Sequence, residues 1–453
     1  MWNKTCTDIL LECVRQFNDN HIKYFIFRNH EGLPVENEAK DVDIVVEPAR
    51  IKKAKELVYQ IFRESGLEYY DEFVTGKMIC MHGISLNKKM GIHIDLLEGF
   101  NIKGYDVLDF NDMYTHTEDY RGLRVMQDVY GSFLLFISKQ FGQREPKWKQ
   151  KYRTKIQDII KCSQEEFLEY LSVIVSKKYL SQFRTYIENG ELDKIFLEHK
   201  NINKQIRKAI WKRKPIHTAV GKSIFLAGKI KTIVLQYKKN SRTMAVIAPD
   251  GTGKSSFTAN MIEQINFYYV ADNKVNLYHF RPEIFPNLHV VGQKTGIVGE
   301  KEKTSDPHKF QPAGEFSSII RMSYYTLDYI LGWQKCIRND VHYDRYSVFD
   351  RYSYDLLADP LRSRIKLPYS IRKALVRLTP KPKVVFLLRA DAQIIYERKQ
   401  ELPVEEIKRQ LKEYEKLADN YKNIYILNAE QSLEDMCEDA IKVLFEKYAK
   451  VKN

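Results

Sequence analysis

Apolar positions recur at helical spacing from Thr5 to Phe17, where Ile9, Leu10, Cys13, Val14 and Phe17 fall on one face. A short apolar strand is expected at Tyr24–Phe27, followed by a turn-rich loop, Arg28–Lys40, that holds Gly32 and Pro34. Asp41–Val46 reads as a strand stopped by Pro48, and Ala49–Arg63 as a helix. The region with Tyr69, Tyr70 and Met78–His82 reads as a β-hairpin, and Gly91–Leu97 as a further strand. Residues 1–127 are therefore expected to form a mixed α/β domain. From Asp128 to Gln236 the pattern is mostly helical, and the polar run Lys238–Arg242 reads as a linker, which closes a middle region at 128–240. Residues 241–453 alternate again: apolar strands are expected at Met244–Ile247, Val275–His279, Tyr346–Phe349, Lys383–Leu388 and Asn423–Leu427, with helices between them. Such alternation predicts a parallel sheet with helices on both faces, so the fold class is α/β.

Chemistry enters at Ala248-Pro249-Asp250-Gly251-Thr252-Gly253-Lys254-Ser255, between an apolar strand and a helix. A phosphate needs a ring of backbone N–H donors, so the loop must curl tightly without bulky side chains, and Gly251 and Gly253 permit that path. The helix that starts near Lys254 points its positive end at the phosphates. Lys254 is expected to reach the β- and γ-phosphates of ATP, and Ser255 to offer its hydroxyl to Mg²⁺. Asp250, Gly251, Thr252, Gly253, Lys254, Ser255 and Ser256 make up the expected nucleotide contacts. Ala248 stands where such loops usually begin with glycine.

The run Pro-Asp-Gly-x-Gly-Lys-Ser resembles the thymidylate kinase family of nucleotide kinases, and the resemblance extends over about residues 244–450. Val348-Phe349-Asp350-Arg351-Tyr352 looks like that family's strand-terminal Asp-Arg motif. By that resemblance Asp350 supports the metal or the acceptor, Arg351 holds acceptor phosphate, and Arg398 stands in the lid, where it would neutralise the transferring group. The acceptor-reading motifs depart from the family. His279-Phe280-Arg281-Pro282 replaces its Arg-Glu-Pro-Gly run, and Thr326-Leu327-Asp328 replaces its Ala-Asp-Arg run. The pattern is similar to a divergent thymidylate kinase-like group of bacterial proteins, some tied to surface-polysaccharide synthesis. The expected activity is an ATP- and Mg²⁺-dependent kinase acting on a small anionic or hydroxyl-bearing molecule or a glycan. Nucleoside monophosphate phosphorylation is the alternative.

Asp41 and Asp43 lie two apart on one expected strand, and Asp95 lies on a later one. Three such carboxylates can hold two Mg²⁺ ions over a triphosphate. Tyr24–Val46 together with His93-Ile94-Asp95-Leu96 resembles the polymerase-β-like nucleotidyltransferase superfamily. That resemblance makes Asp41, Asp43 and Asp95 metal ligands and implies a second, nucleotidyl-transferring activity, with ligand binding without transfer as the alternative. His93 shares the face of Asp95, and Phe27-Arg28-Asn29 occupies the place of the superfamily's Gly-Ser.

Charge adds a partner class. The chain has 73 Lys and Arg against 59 Asp and Glu, a net +14, which points to anionic partners. The basic stretches Lys147–Arg153 and Lys204–Lys214 read as solvated helix faces, and the middle region holds no recognised nucleic-acid module. An ATP-driven nucleic-acid switch is thus the weaker reading. Six cysteines without a CxxC pair or a Cys/His cluster suggest thiols in a reducing compartment. Met1–Thr5 lacks the apolar run of a secretory leader, and Phe133–Ile137 is far too short to cross a bilayer. The expectation is a cytoplasmic protein without a transmembrane segment.

Overall fold

Strands follow the apolar runs. The computed structural model describes residues 2–142, 148–235, 239, 241–286 and 314–451, and the chain folds as two compact units. One comprises Met1–Ile230, Tyr268–Val270 and Lys450–Asn453, and the other Lys231–Phe267 and Ala271–Ala449. Lys147 of the first basic stretch, Gln236 at the end of the expected helical region, and Lys238 and Asn240 of the expected linker lie outside the described residues. Among the described residues no helix is long and apolar enough to cross a membrane.

The first unit is built on β1 (Tyr24–Ile26), β2 (Val42–Val46), β3 (Tyr69–Thr75), β4 (Met78–Ser85), β5 (Met90–Glu98), β6 (Phe100–Ile102), β7 (Tyr105–Leu108), β8 (Thr117–Tyr120) and β9 (Leu123–Met126). An eight-stranded mixed sheet runs β3-β4-β5-β2-β1-β9-β8, with the two-residue strand Lys450–Val451 outside β3. β6 and β7 form a separate hairpin. All five residues of β2 are buried because both faces of the sheet are covered. On one side Ile26, Ile44 and Val46 join the buried faces of helices Lys4–Asp19 and Ile51–Glu64. On the other, Phe25, Phe27 and Val45 join an aromatic core continued by the helices from Asp128 to Arg213, with Phe136, Phe167 and Phe183 at its centre.

The second unit holds β10 (Arg242–Ile247), β11 (Val275–His279), β12 (Tyr346–Asp350), β13 (Val384–Arg389) and β14 (Ile424–Asn428). They form one sheet in the order β11-β12-β10-β13-β14, every neighbouring pair parallel. Parallel neighbours require crossovers, which the intervening helices supply. β10 sits at the centre, so its C-terminal end opens between the ends of β12 and β13. That crevice is where open parallel sheets place their ligands.

Candidate functional site

β10 ends at Ile247, and the chain turns through Ala248–Gly253 into the helix Lys254–Tyr268. The turn needs two left-handed residues: Gly251 has φ +88° and Gly253 φ +94°. Any side chain would be strained at either position. At Gly251 an added Cβ would also meet the Ile395 carbonyl oxygen and the Lys399 Cβ, each at 3.0 Å. The buried Thr252 hydroxyl donates to the Pro249 carbonyl at 2.8 Å and pins the curl. Lys254 is buried, and its ammonium donates to the carbonyls of Ala248 (2.9 Å) and Pro249 (2.7 Å) and meets Asp250 at 3.3 Å. Burial, then the Arg351 charge, pushes Lys254 down to about 7, with Asp355 and Asp350 pulling the other way. Ser255 and Ser256 stand exposed in the first helical turn.

Parallel register brings a second element to this loop. Asp350 pairs with Val246 of β10 and His279 of β11, so the end of β12 lies beside the start of the turn. Asp350 Oδ1 is buried with no hydrogen-bond partner among the described residues, while Oδ2 lies 3.6 Å from His279 Nδ1. Arg351 follows at φ +72°, uncommon for a residue with a side chain, and its amide donates to the Val246 carbonyl at 2.9 Å. Its guanidinium bridges Asp250 of the loop and Asp355, the latter at 3.0 Å. The other Asp355 oxygen accepts from the Tyr414 hydroxyl at 3.0 Å. Burial raises Asp355, opposed by Arg351 and Lys254. Arg362 takes the second oxygen of Asp250, so this one carboxylate meets three cations: Lys254, Arg351 and Arg362.

A cavity of about 420 Å³ opens against the same strand end. Arg351 and Arg362 line it together with Arg321, Arg364, Asp350, Asp355 and Asp359, while Phe280 and Tyr325 add aromatic lining. Arg321 Nε is buried and has no hydrogen-bond partner among the described residues. Burial lowers Arg362, and burial followed by the Arg321 charge lowers Arg364. Crowded cations whose own charge is disfavoured define a place that gains from an incoming anion.

The structure thus brings Asp250–Ser256 together with Asp350 and Arg351. Arg398 is placed otherwise: it donates to the Ala429 carbonyl at 2.9 Å, and Lys399, the next residue, is the one that meets Gly251. Arg281 is engaged as well, in a buried ion pair of 2.8 Å with Asp328. The motif comparison missed Arg321, Arg362 and Arg364. Arg321 had a signal, since Arg321, Tyr325 and Asp328 stand at i, i+4 and i+7 on one face of the helix Glu315–His342. Arg362 and Arg364 lie in and just after the short turn Leu361–Ser363, which has no periodicity to read.

In the first unit, Asp43 and Asp95 face each other across the parallel pair β2 and β5. Asp41 stands just before β2 rather than on it, and the three carboxylates still place ligand atoms within 4.8 Å of one another. Arg28 pairs with Asp43 and lies 3.9 Å from Asp41. Burial, then the charges of Asp41 and Asp95, pushes Asp43 up to about 6 in opposition to Arg28. Burial also works to raise Asp95, but His93, whose Nε2 lies 2.9 Å from Oδ1, brings it below the usual carboxylate range. Asp95 is shared by a second group with Cys80 and His93.

Both sites can be tested for a cation by their donors. The unbonded, buried oxygen of Asp350 and the exposed hydroxyl of Ser255 are the hard oxygen donors Mg²⁺ prefers. Three converging carboxylates offer more negative charge than Arg28 offsets, which also fits a divalent cation.

No family model and no curated protein matches this chain. Among solved structures, a thymidylate kinase from Ehrlichia chaffeensis matches at 14% identity and a TM-score of 0.30, over 45% of this chain and 98% of that one. The geometry of the loop and cavity, not that likeness, carries the functional reading.

Proposed function

We propose that the second unit is an ATP- and Mg²⁺-dependent phosphotransferase that moves the γ-phosphoryl group to a small anionic acceptor. One observation carries this reading: Arg351 joins the glycine loop, through Asp250, to the arginine-lined cavity at the end of β12. Donor and acceptor ends would then be held by one rigid strand terminus, and in-line phosphoryl transfer asks for little beyond positioning and charge neutralisation. The loop amides and Lys254 would bind the donor phosphates, with Ser255 and Asp350 holding Mg²⁺. Mg²⁺ would supply charge neutralisation on the donor phosphates. Arg321, Arg351, Arg362 and Arg364 would hold the acceptor anion, and Phe280 and Tyr325 would flank its body. A phosphorylated sugar, a glycan precursor and a nucleoside monophosphate all carry an anion of that size, so the cavity favours the class over any member.

The test is transfer of label from γ-labelled ATP to a panel of such acceptors. Transfer to phosphorylated acceptors that Arg321→Gln weakens chiefly through KM supports the reading. Label released only to water, whatever the acceptor, would sink it.

A second reading concerns the first unit. The convergence of Asp41, Asp43 and Asp95 supports nucleotidyl transfer there, with the carboxylates as the metal-holding group. Label leaving the α position of a nucleoside triphosphate, and stopping in Asp43→Asn, is the expected result. Retention of all α-label under every acceptor would exclude it.

A further inference from the structure

Between His199 and Pro249 the chain carries thirteen lysines and arginines and not one acidic residue. The remaining 60 basic residues are set against all 59 acidic ones, so this stretch accounts for nearly the whole net charge of +14. The charge is therefore local in the sequence, and it flanks one helix, Pro215–Ile230, at whose start His217 lies 3.1 Å from Asp106 and Lys214 3.7 Å from Asp109.

That helix is docked by the face a soluble helix would normally expose. Thr218 is its buried residue, and Gly221 crosses the backbone at Gly104 so closely that a Cβ on either would come within 2.6 Å of the other's carbonyl oxygen. The Lys222 ammonium sits 4.6 Å from the centre of the Tyr105 ring, and Phe225 lies against Gly104 and Gly76. Thr218, Gly221, Lys222 and Phe225 thus form the inward stripe, at helical spacing. The opposite stripe carries Ile216 (80% exposed), Val220 (52%), Ile224 (67%), Leu226 (57%) and Ile230 (47%), with Ala219 and Ala227 between them. A surface helix of a globular protein orients the other way, with its apolar stripe turned to the core. Exposed apolar residues in one continuous strip mark a docking surface. Lys212 and Lys229 are exposed near its two ends.

We propose that the helix Pro215–Ile230 docks the protein on an anionic lipid surface. It would lie in the plane of the interface, with Ile216, Val220, Ile224 and Leu226 inserted among the acyl chains and the surrounding lysines and arginines against the headgroups. Charge complementarity selects this occupant: the apolar strip lies within a stretch of uniformly positive sequence, and an anionic bilayer offers apolar interior and negative surface together. A second copy of the chain would bring the same positive charge to the contact. Lipid docking is independent of the phosphotransferase reading.

The experiment is co-flotation of the full-length protein with vesicles of phosphatidylcholine alone or mixed with phosphatidylglycerol. Binding to the mixed vesicles only, weakened by salt, is expected. Ile216→Ser and Ile224→Ser, which leave charge untouched at two exposed sites, should each lower the partition constant about tenfold. Lys212→Gln and Lys229→Gln should each lower it roughly fivefold. All four variants should melt as the parent does; two independent exposed serine variants keep the test intact should either one misfold. Equal vesicle binding by the parent and both serine variants overturns the proposal. So does inositol hexaphosphate binding that matches vesicle binding, which would make the region a polyanion site. A lipid-free dimer that Ile224→Ser dissociates assigns the strip to a second copy and overturns it equally.

Discussion

At Lys254 three physical demands meet. The ammonium is buried, it donates to two loop carbonyls, and it lies beside the Arg351 charge that burial makes harder to tolerate. On the proposed reading Lys254→Ala should reduce kcat for γ-phosphoryl transfer by about 10²- to 10³-fold, the scale of removing one preorganised charge donor. Thermal unfolding should be altered little, because the substitution also frees Asp250 to its two arginines. An unchanged kcat in the alanine variant would remove Lys254 from the mechanism. Gly251 makes a separate prediction. Its φ of +88° strains any side chain, and the 3.0 Å approach of the Ile395 carbonyl crowds a methyl group. Gly251→Ala should therefore cost about 1–2 kcal/mol in urea unfolding and weaken ATP binding. The loop was legible in the sequence because its parts are neighbours in the chain and its glycines are read by type. Arg321 was legible only as part of one helix face and Arg362 not at all, since 30 and 11 residues separate them from Arg351 and only folding brings them to one cavity.

Among the elements, β10 and β12 decide the site, because their parallel register sets Asp350 beside the loop. The opposite end of the same strands is held by charge. Asp344, just before β12, is half-buried between Arg242 at the start of β10 and Lys274 just before β11. Burial works to raise its carboxyl, but the two cations bring it below the ordinary value of 3.8. A depressed folded-state value means the stabilisation is complete above the ordinary carboxylate range and is lost as pH falls through the folded value. Asp344→Asn removes the carboxylate charge that Arg242 and Lys274 share and should cost about 3 kcal/mol at neutral pH. In urea titrations the gap between parent and variant should narrow as the pH is brought down through and below 3.8. A gap that stayed constant with pH would assign the effect to packing instead of charge. Strand positions were readable from apolar runs, and each observed strand of the second unit overlaps its expected span; helix Pro215–Ile230 was readable as a helix, but not for the face it would bury.

The two carboxylate-bearing sites belong to separate units of one chain. If both readings hold, each activity should fall to its own substitution. Lys254→Ala should suppress transfer of γ-label to the acceptor and spare α-label transfer, and Asp43→Asn should do the reverse. Loss of both labels from either single variant, with the fold intact by circular dichroism, would tie the two reactions to one site. The sequence by itself determined the α/β class, the parallel sheet of the second unit and the glycine loop. Those follow from local rules: apolar alternation, the conformational freedom of glycine, and residues adjacent in the chain. The tertiary structure alone decided that Arg321 joins Arg351, that Arg398 turns to Ala429 while Lys399 meets the loop, and that Asp41 joins the carboxylates from outside β2. It also decided that an apolar helix face points outward. Each of these depends on register and close approach between distant segments, which hydrophobic pattern and motif spacing do not encode.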